Sequence, residues 1–279
     1  MPKIRSTSLK WLGQAGFVLD IDSWRVAIDP WLSMHPLRVE PPPCEEEAGR
    51  LDLVLVTHGH GDHLDLTGLA ALPQHRRPSE VFVPSPHAVG TMNALKYVTV
   101  SSVHVGQIIN RKDILIEVVP AWHGLTMKDA YSDGIERGAT PHVGYVITTV
   151  EAVIYHAGDT ILSDGLIRAL QELSIDVAIL PINGRDESRE HNGIVGNLDA
   201  TEALDLAEAI GASVLLPCHF DMVRGNTADV NFLVELAFTR RSPVKVIVPK
   251  RGHVLSLESL MKYSTQGKRN LALINKEAL

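Results

Sequence analysis

The chain has 279 residues, enough for one large domain or two of ordinary size, and its 45% hydrophobic residues supply a sizeable buried core. Its 33 acidic residues outnumber 26 basic ones, for a formal charge of -7, and the basic residues fall in scattered pairs such as Arg76 with Arg77 and Arg240 with Arg241, so no nucleic-acid partner is expected. No window approaches the roughly 20 apolar residues of a membrane-spanning helix, since even 143–155 is broken by Thr148, Thr149 and Glu151.

At the N-terminus Lys3, Arg5 and Lys10 are followed by Gly13, Gln14 and Asp20 instead of an apolar segment with a small-residue cleavage site, so a soluble cytoplasmic protein is expected. Short β-patterned runs come next, at 9–12, 17–21, 25–28, 51–56, 81–83 and 98–105, with turn residues between them. Residues 41–47, Pro-Pro-Pro-Cys-Glu-Glu-Glu, read as a solvated loop or an active-site flap. Helices are expected over 64–72 and from Pro86, a residue suited to a first helical turn, towards Tyr97. A strand at 114–119 delivers Ala121, Trp122 and His123 at its end.

Residues 124–142 are rich in Gly, Asp, Lys and Thr, and read as a long loop joining two halves, about 1–123 and 143–260, of a single domain spanning 1–279. In the second half strands fit 143–148, 152–155, 177–182, 214–216 and 244–248, and a helix fits 162–173. The clearest helix starts at Asp199, whose carboxylate can cap it with Glu202 three residues on, and ends at Gly211. Two β-rich halves with outer helices imply an α/β protein in which two sheets pack face to face between helical layers. Cys44 and Cys218 are far apart in sequence and are expected as reduced thiols, the first in a loop and the second at a strand end.

Residues 57–65 read Thr-His-Gly-His-Gly-Asp-His-Leu-Asp and follow an apolar run directly. His58, His60, Asp62 and His63 crowd nitrogen and oxygen donors into one turn, which the glycines at 59 and 61 are expected to permit. Without a metal such a cluster would be poorly satisfied. His123, Asp159 and His219 each follow an apolar run and precede a loop, which places them at the same sheet edge as further ligands. His253 is an alternative to His219. Asp221 can orient His219 or cap a helix; His156 and His142 can lie beside the site or serve it. Trp11, Trp24, Trp31 and Trp122 are expected in the core or a cleft.

The His-x-His-x-Asp-His cluster with these later single ligands resembles the metallo-β-lactamase superfamily, over roughly residues 9–257. The resemblance implies a four-layer αββα sandwich, with His58, His60 and His123 on one divalent ion, Asp62, His63 and His219 on a second, and Asp159 bridging the two. Within the superfamily the chain looks like the L-ascorbate-6-phosphate lactonase group. That likeness rests on Tyr155-His156-Ala157-Gly158-Asp159, Ile175-Asp176-Val177-Ala178, Thr201-Glu202-Ala203 and the stretch 212–221, and the chain departs from it in being shorter and in carrying His123 at a position that is acidic there.

The expected chemistry is hydrolysis of a small anionic ester, in particular a lactone such as L-ascorbate 6-phosphate, by a hydroxide shared between two ions, zinc or manganese. Asp62 or Asp159 would move the proton to the leaving group. Arg185, Arg189, His191 and Asn183 lie in a polar loop after a strand and are candidates to grip the anionic substrate, a solvated loop or an intersubunit contact being the blander reading. A phosphodiesterase on the same scaffold and a non-catalytic metal-binding or metabolite-sensing module are the alternatives. A homo-oligomer is compatible with all of them.

Overall fold

A computed structural model describes residues 7–123, 142–192, 194 and 196–262. The loop expected over 124–142 lies outside them, apart from His142. In chain order the strands are β1 (Ser8–Gly13), β2 (Gly16–Ile21), β3 (Trp24–Ile28), β4 (Leu53–Leu55), β5 (Glu80–Pro84), β6 (Thr99–Val103), β7 (Ile108–Arg111), β8 (Ile114–Pro120), β9 (Val143–Thr148), β10 (Val153–His156), β11 (Val177–Pro181), β12 (Val214–Cys218), β13 (Lys245–Val246) and β14 (Val254–Ser256). The helices are α1 (Glu45–Ala48), α2 (Leu66–Ala71), α3 (Ala88–Ala94), α4 (Asp164–Leu170), α5 (Glu187–His191), α6 (Ala200–Ala209), α7 (Val230–Arg240) and α8 (Leu257–Met261).

The strands form two mixed seven-stranded sheets, ordered β14-β1-β2-β3-β4-β5-β6 and β13-β12-β11-β10-β9-β8-β7. Alternation along the strands of the first sheet decides what each face meets. Phe17, Leu19, Val26, Ile28, Leu53 and Leu55 point into the core shared with the second sheet. Val18, Ala27, Val54, Val56, Val81 and Val83 point outward and pack with Leu69 of α2 and Ala88 of α3. On the far side α6 buries Leu204 and Leu206, each worth about 1.5–3 kcal/mol when withdrawn from water. The result is the four-layer αββα sandwich.

Local signals start the helices as the residue types predict. Asp199 accepts from the Glu202 amide while the Glu202 carboxylate returns the bond, a complete capping box for α6. Ser163 caps α4, so that helix begins at Asp164, two residues later than the apolar pattern suggests. Cys44 precedes α1, so the Pro-rich patch at 41–47 is partly helical.

Two strand boundaries shift for identifiable reasons. The run at 98–105 ends as a strand at Val103, and Gly106, at φ +85, turns the chain out of the first sheet and into β7 at the edge of the second. Pro243 and Pro249 bracket the run at 244–248, and only Lys245–Val246 forms ladder structure. Sheet membership also crosses the two sequence halves. β7 and β8 precede residue 124 but belong to the second sheet, and β14 returns from the C-terminal side to pair with β1.

The sheets are stitched together where β4 ends. Tyr145, on β9 and wholly buried, donates its hydroxyl to the Val56 carbonyl at 2.7 Å, and the Val143 amide donates to the Thr57 carbonyl at 2.9 Å. These two bonds hold the entrance to the histidine turn. Changing Tyr145 to Phe should therefore lower unfolding stability by about 1–2 kcal/mol in urea titration, and an unchanged midpoint would refute the stitching role.

Candidate metal centre

Seven donor side chains converge at one edge of the sandwich. His58, His60, Asp62 and His63 leave β4, His123 follows β8, Asp159 follows β10 and His219 follows β12. Open αβ sheets bind ligands beyond the carboxyl ends of their strands, and here the ends of both sheets meet. His58, His60, His123 and Asp159 bring donor atoms within 4.8 Å of one another, and so do Asp62, His63 and His219. Asp159 lies between the groups, with Oδ2 3.4 Å from His123 Nε2 and 3.5 Å from His219 Nε2, and Oδ1 3.4 Å from His63 Nε2. All seven sequence-predicted ligands thus occupy one cluster. His253 is exposed and belongs to neither group.

Each anchored imidazole is aimed from behind. Asp29, fully buried after β3, accepts from the Thr57 amide at 2.8 Å, from the Thr57 hydroxyl at 2.6 Å and from His63 Nδ1 at 2.7 Å. The Thr57 hydroxyl gives its proton to Asp29, so its lone pair accepts from His58 Nδ1 at 3.0 Å. His123 Nδ1 donates to the Gly196 carbonyl at 3.1 Å. In all three rings Nε2 is left facing the cluster, the second-layer arrangement of metal-binding histidines. Asp65 does comparable work one turn later, accepting from the amides of Leu32, Ser33 and Gly68.

Glycines act differently from the expectation. Neither Gly59 nor Gly61 has a positive φ. A Cβ at 59 would stand 2.4 Å from the His87 ring, so Gly59 lets that ring pack close, whereas nothing approaches within 4 Å at Gly61. The conformational demand falls on Gly158, at φ +61, where a Cβ would meet the Thr57 side chain at 2.6 Å.

Electrostatics prepare His58, His123, Asp62 and Asp159 in the forms that a cation requires, and leave His63 with a proton that a cation must displace. Burial, reinforced by His63 and His60, pushes His58 well below the usual imidazole range, and burial brings His123 down to about 3, so both are neutral. Burial alone would raise Asp62 and Asp159, but neighbouring imidazoles, His63 first for Asp62 and His219 first for Asp159, hold both below the usual carboxylate range. At His63 burial opposes the charge, yet Asp159, Asp62 and Asp29 outweigh it and raise the ring to about 10.

The residues fit divalent metal. His63 Nε2 and Asp159 Oδ1 are buried with no hydrogen-bond partner among the described residues. Two donors at a tetrahedral angle on bonds of about 2.1 Å stand roughly 3.4 Å apart, and His219 Nε2 lies 3.4 Å from Asp62 Oδ2.

The cluster floors a cleft of about 230 Å³ lined by Trp31, His35, Leu37, Ile194, Val223 and Asn226 beside the donors. None of the four residues expected to grip substrate is in that lining. Arg185 is held in two bonds by Glu202, at 2.5 and 2.6 Å, Arg189 bonds Asp186 and the Asn183 carbonyl, Asn183 is buried, and His191 is exposed on α5. Asn226 does reach the cleft; its Oδ1 accepts from Asn183 at 2.9 Å and from Arg189 at 3.2 Å.

Other candidates resolve plainly. His156 spends both ring nitrogens on backbone, Nε2 with the Ala15 carbonyl and Nδ1 with the Gly158 amide, so it is a structural tie. His142 is buried, its ring 5.3 Å from His58 and 5.4 Å from His123. Asp221 caps no helix, and neither its Oδ1 nor His219 Nδ1 has a hydrogen-bond partner among the described residues. Trp11 is core and Trp31 lines the cleft, Trp24 is half-buried against the core, and Trp122 is 40% exposed.

Asp29, Thr57 and Gln14 were not singled out from sequence. For Asp29 a signal existed, a carboxylate at the end of the β-patterned run 25–28 and before Pro30, on the edge that bears the ligands.

A beta-lactamase superfamily domain model matches residues 24–220. A UPF0173 metal-dependent hydrolase from Methanopyrus kandleri is 34% identical over 213 residues, 76% of this chain and 83% of that protein. One from Hyperthermus butylicus is 29% identical over 249 residues, 88% of this chain and 97% of its own. Among solved structures, the metallo hydrolase Igni18 of Ignicoccus hospitalis superposes with TM-score 0.68 at 23% identity, covering 90% of this chain and 98% of that one. An isothiocyanate hydrolase from Delia radicum gut bacteria gives 0.71 at 19% identity, with 89% and 98% covered. The chain belongs to the beta-lactamase superfamily. Within it, it is a metal-dependent hydrolase of the metallo-β-lactamase fold.

Two outcomes follow from the anchoring and charge of His63. Asp29→Asn keeps the shape but removes the carboxylate behind that ring, and should weaken metal binding about 10- to 100-fold in chelator competition; wild-type affinity would show that Asp29 only fills space. His63 carries a proton on Nε2 until pH exceeds about 10. A metal must displace that proton, so affinity should rise with pH by about tenfold per unit below that value, with proton release measurable in weak buffer. A flat profile between pH 7 and 9 would contradict this.

Proposed function

We propose that the chain hydrolyses a small carbonyl ester, in particular a lactone ring, with two divalent ions, zinc or manganese, held by the seven donors. The observation that carries the reading is the continuous cluster of His58, His60, His123 and Asp159 with Asp62, His63 and His219, floored into a cleft of only about 230 Å³. Ions bound there would acidify water and draw electron density from a carbonyl oxygen.

The protein's own residues supply the rest. Asp62 is the more accessible of the two carboxylates that line the cleft, its side chain 21% exposed against 3% for Asp159. Held ionised by His63 and His219, it is placed to take the proton from the attacking water and pass it to the leaving oxygen. Trp31, Leu37, Ile194 and Val223 offer apolar walls that suit a compact ring, and Asn226 offers the polar contact that orients it. The likeness to the ascorbate-6-phosphate lactonase group supports the lactone. With Arg185 committed to Glu202, an anionic end of the substrate would be met through Asn226 and the Arg189 behind it. Among the described residues no helix is long and apolar enough to cross a membrane.

Metal-replete protein should turn over a lactone faster than a thioester or a bis-phosphodiester. No turnover of any ester with either zinc or manganese would end the hydrolase reading, and turnover of the phosphodiester alone would replace the lactone with phosphodiesterase chemistry. Asp62→Ala should lower kcat by at least about 100-fold while the circular dichroism spectrum stays that of the wild type.

A further inference from the structure

Gln14 sits in the tight turn between β1 and β2 with only 1% of its surface exposed. The turn is clamped on several sides. The Gln14 carbonyl accepts from the His219 amide at 3.1 Å and from Trp11 Nε1 at 2.9 Å, and the next carbonyl, Ala15, accepts from His156 at 2.8 Å. Gln14 and His219 both have left-handed backbones, φ 52 and φ 56, a conformation that non-glycine residues hold only where the surroundings enforce it. The clamp delivers the carboxamide into the second donor group. Its terminal nitrogen lies 2.7 Å from Asp62 Oδ2 and 2.8 Å from His219 Nε2, while its oxygen is buried with no hydrogen-bond partner among the described residues.

That orientation uses the lone pair of His219 Nε2 that a cation would take. An imidazole nitrogen has one lone pair and cannot both accept from the amide and ligate an ion, while Asp62 Oδ2 keeps a second. A half-turn of the carboxamide exchanges nitrogen for oxygen at the same point, and an amide oxygen is an accepted ligand for hard or borderline divalent ions, whereas an amide nitrogen is not. Asp62, His63 and His219 supply three donors, and Asp159 stands 3.4 Å from His63 and 3.5 Å from His219. We infer that Gln14 is a further protein ligand of the second ion, binding through Oε1 once the amide has turned. The assignment rests on the two-ion reading.

Titration of metal-free protein with Co2+ tests it, by isothermal calorimetry and by the visible absorption of the bound ion. Wild type should take up two equivalents. Gln14→Ala should bind the first as wild type does and the second about 10- to 100-fold more weakly, with altered absorption for that equivalent. Gln14→Glu keeps the length and supplies a carboxylate oxygen, so it should bind the second equivalent at least as tightly as wild type. A Gln14 that merely donates to Asp62 is no ligand, so Gln14→Ala and Gln14→Glu would both keep the wild-type absorption for that equivalent, whatever the added charge does to affinity. Unchanged second affinity and absorption in Gln14→Ala would overturn the assignment. So would unchanged absorption in Gln14→Glu, which decides the matter if the alanine variant misfolds. Uptake of a single equivalent by wild type would instead remove the two-ion reading and the assignment with it.

Discussion

Asp29 has no exposed surface, and a carboxylate without water must be satisfied by the protein. The donors it accepts from are the amide and hydroxyl of Thr57 and Nδ1 of His63. Through them a single buried charge sets the start of the histidine turn, the tautomer of His63 and, by way of the Thr57 hydroxyl, that of His58. Most other features of the site adjust to this arrangement. Gly158 must lack a side chain because Thr57 is pinned against it, and Tyr145 reaches across from the second sheet to hold Val56, the residue before.

The centre is built on the seam between two sheets, which explains both its rigidity and its charge. Donors arriving from β4, β8, β10 and β12 cannot relax apart without unpacking the shared core. Buried at one point they form a mixture of neutral imidazoles, ionised carboxylates and two imidazoles, His63 and His219, whose hold on a proton the carboxylates raise against burial. A cation in place of that proton satisfies the same carboxylates, so the electrostatics that shape the protein also select its ligand. The cleft stays open on the side of His60 and Asp62, the less buried members, which is where a substrate must enter.

Much of this was legible in the residues. The alternation of Leu53, Val54, Leu55 and Val56 announced a strand buried on both faces, and the crowding of His58 to His63 announced metal, because that many donors in one turn have few other uses. Asp199 with Glu202 marked the start of α6 as observed. The misses have physical causes. β7 is short and half exposed, with Ile108 open to solvent, so no periodicity betrayed it, and Gly106 rather than a long loop carries the chain between sheets. Arg185 looked like an anion clamp because its partner, Glu202, is supplied by another element and was read only as a capping residue.

Sequence by itself determined the chemistry of the donors, the apolar runs that deliver them and the helix starts, since these depend on residue type and near neighbours. Tertiary structure alone decided which groups stand behind them and beside them. Asp29 is 34 positions from His63 and Gln14 is 205 from His219, separations over which side-chain spacing carries no information. Only the closure of β1, β3, β4, β10 and β12 onto one edge brings a buried carboxylate to the back of an imidazole and an amide to its face.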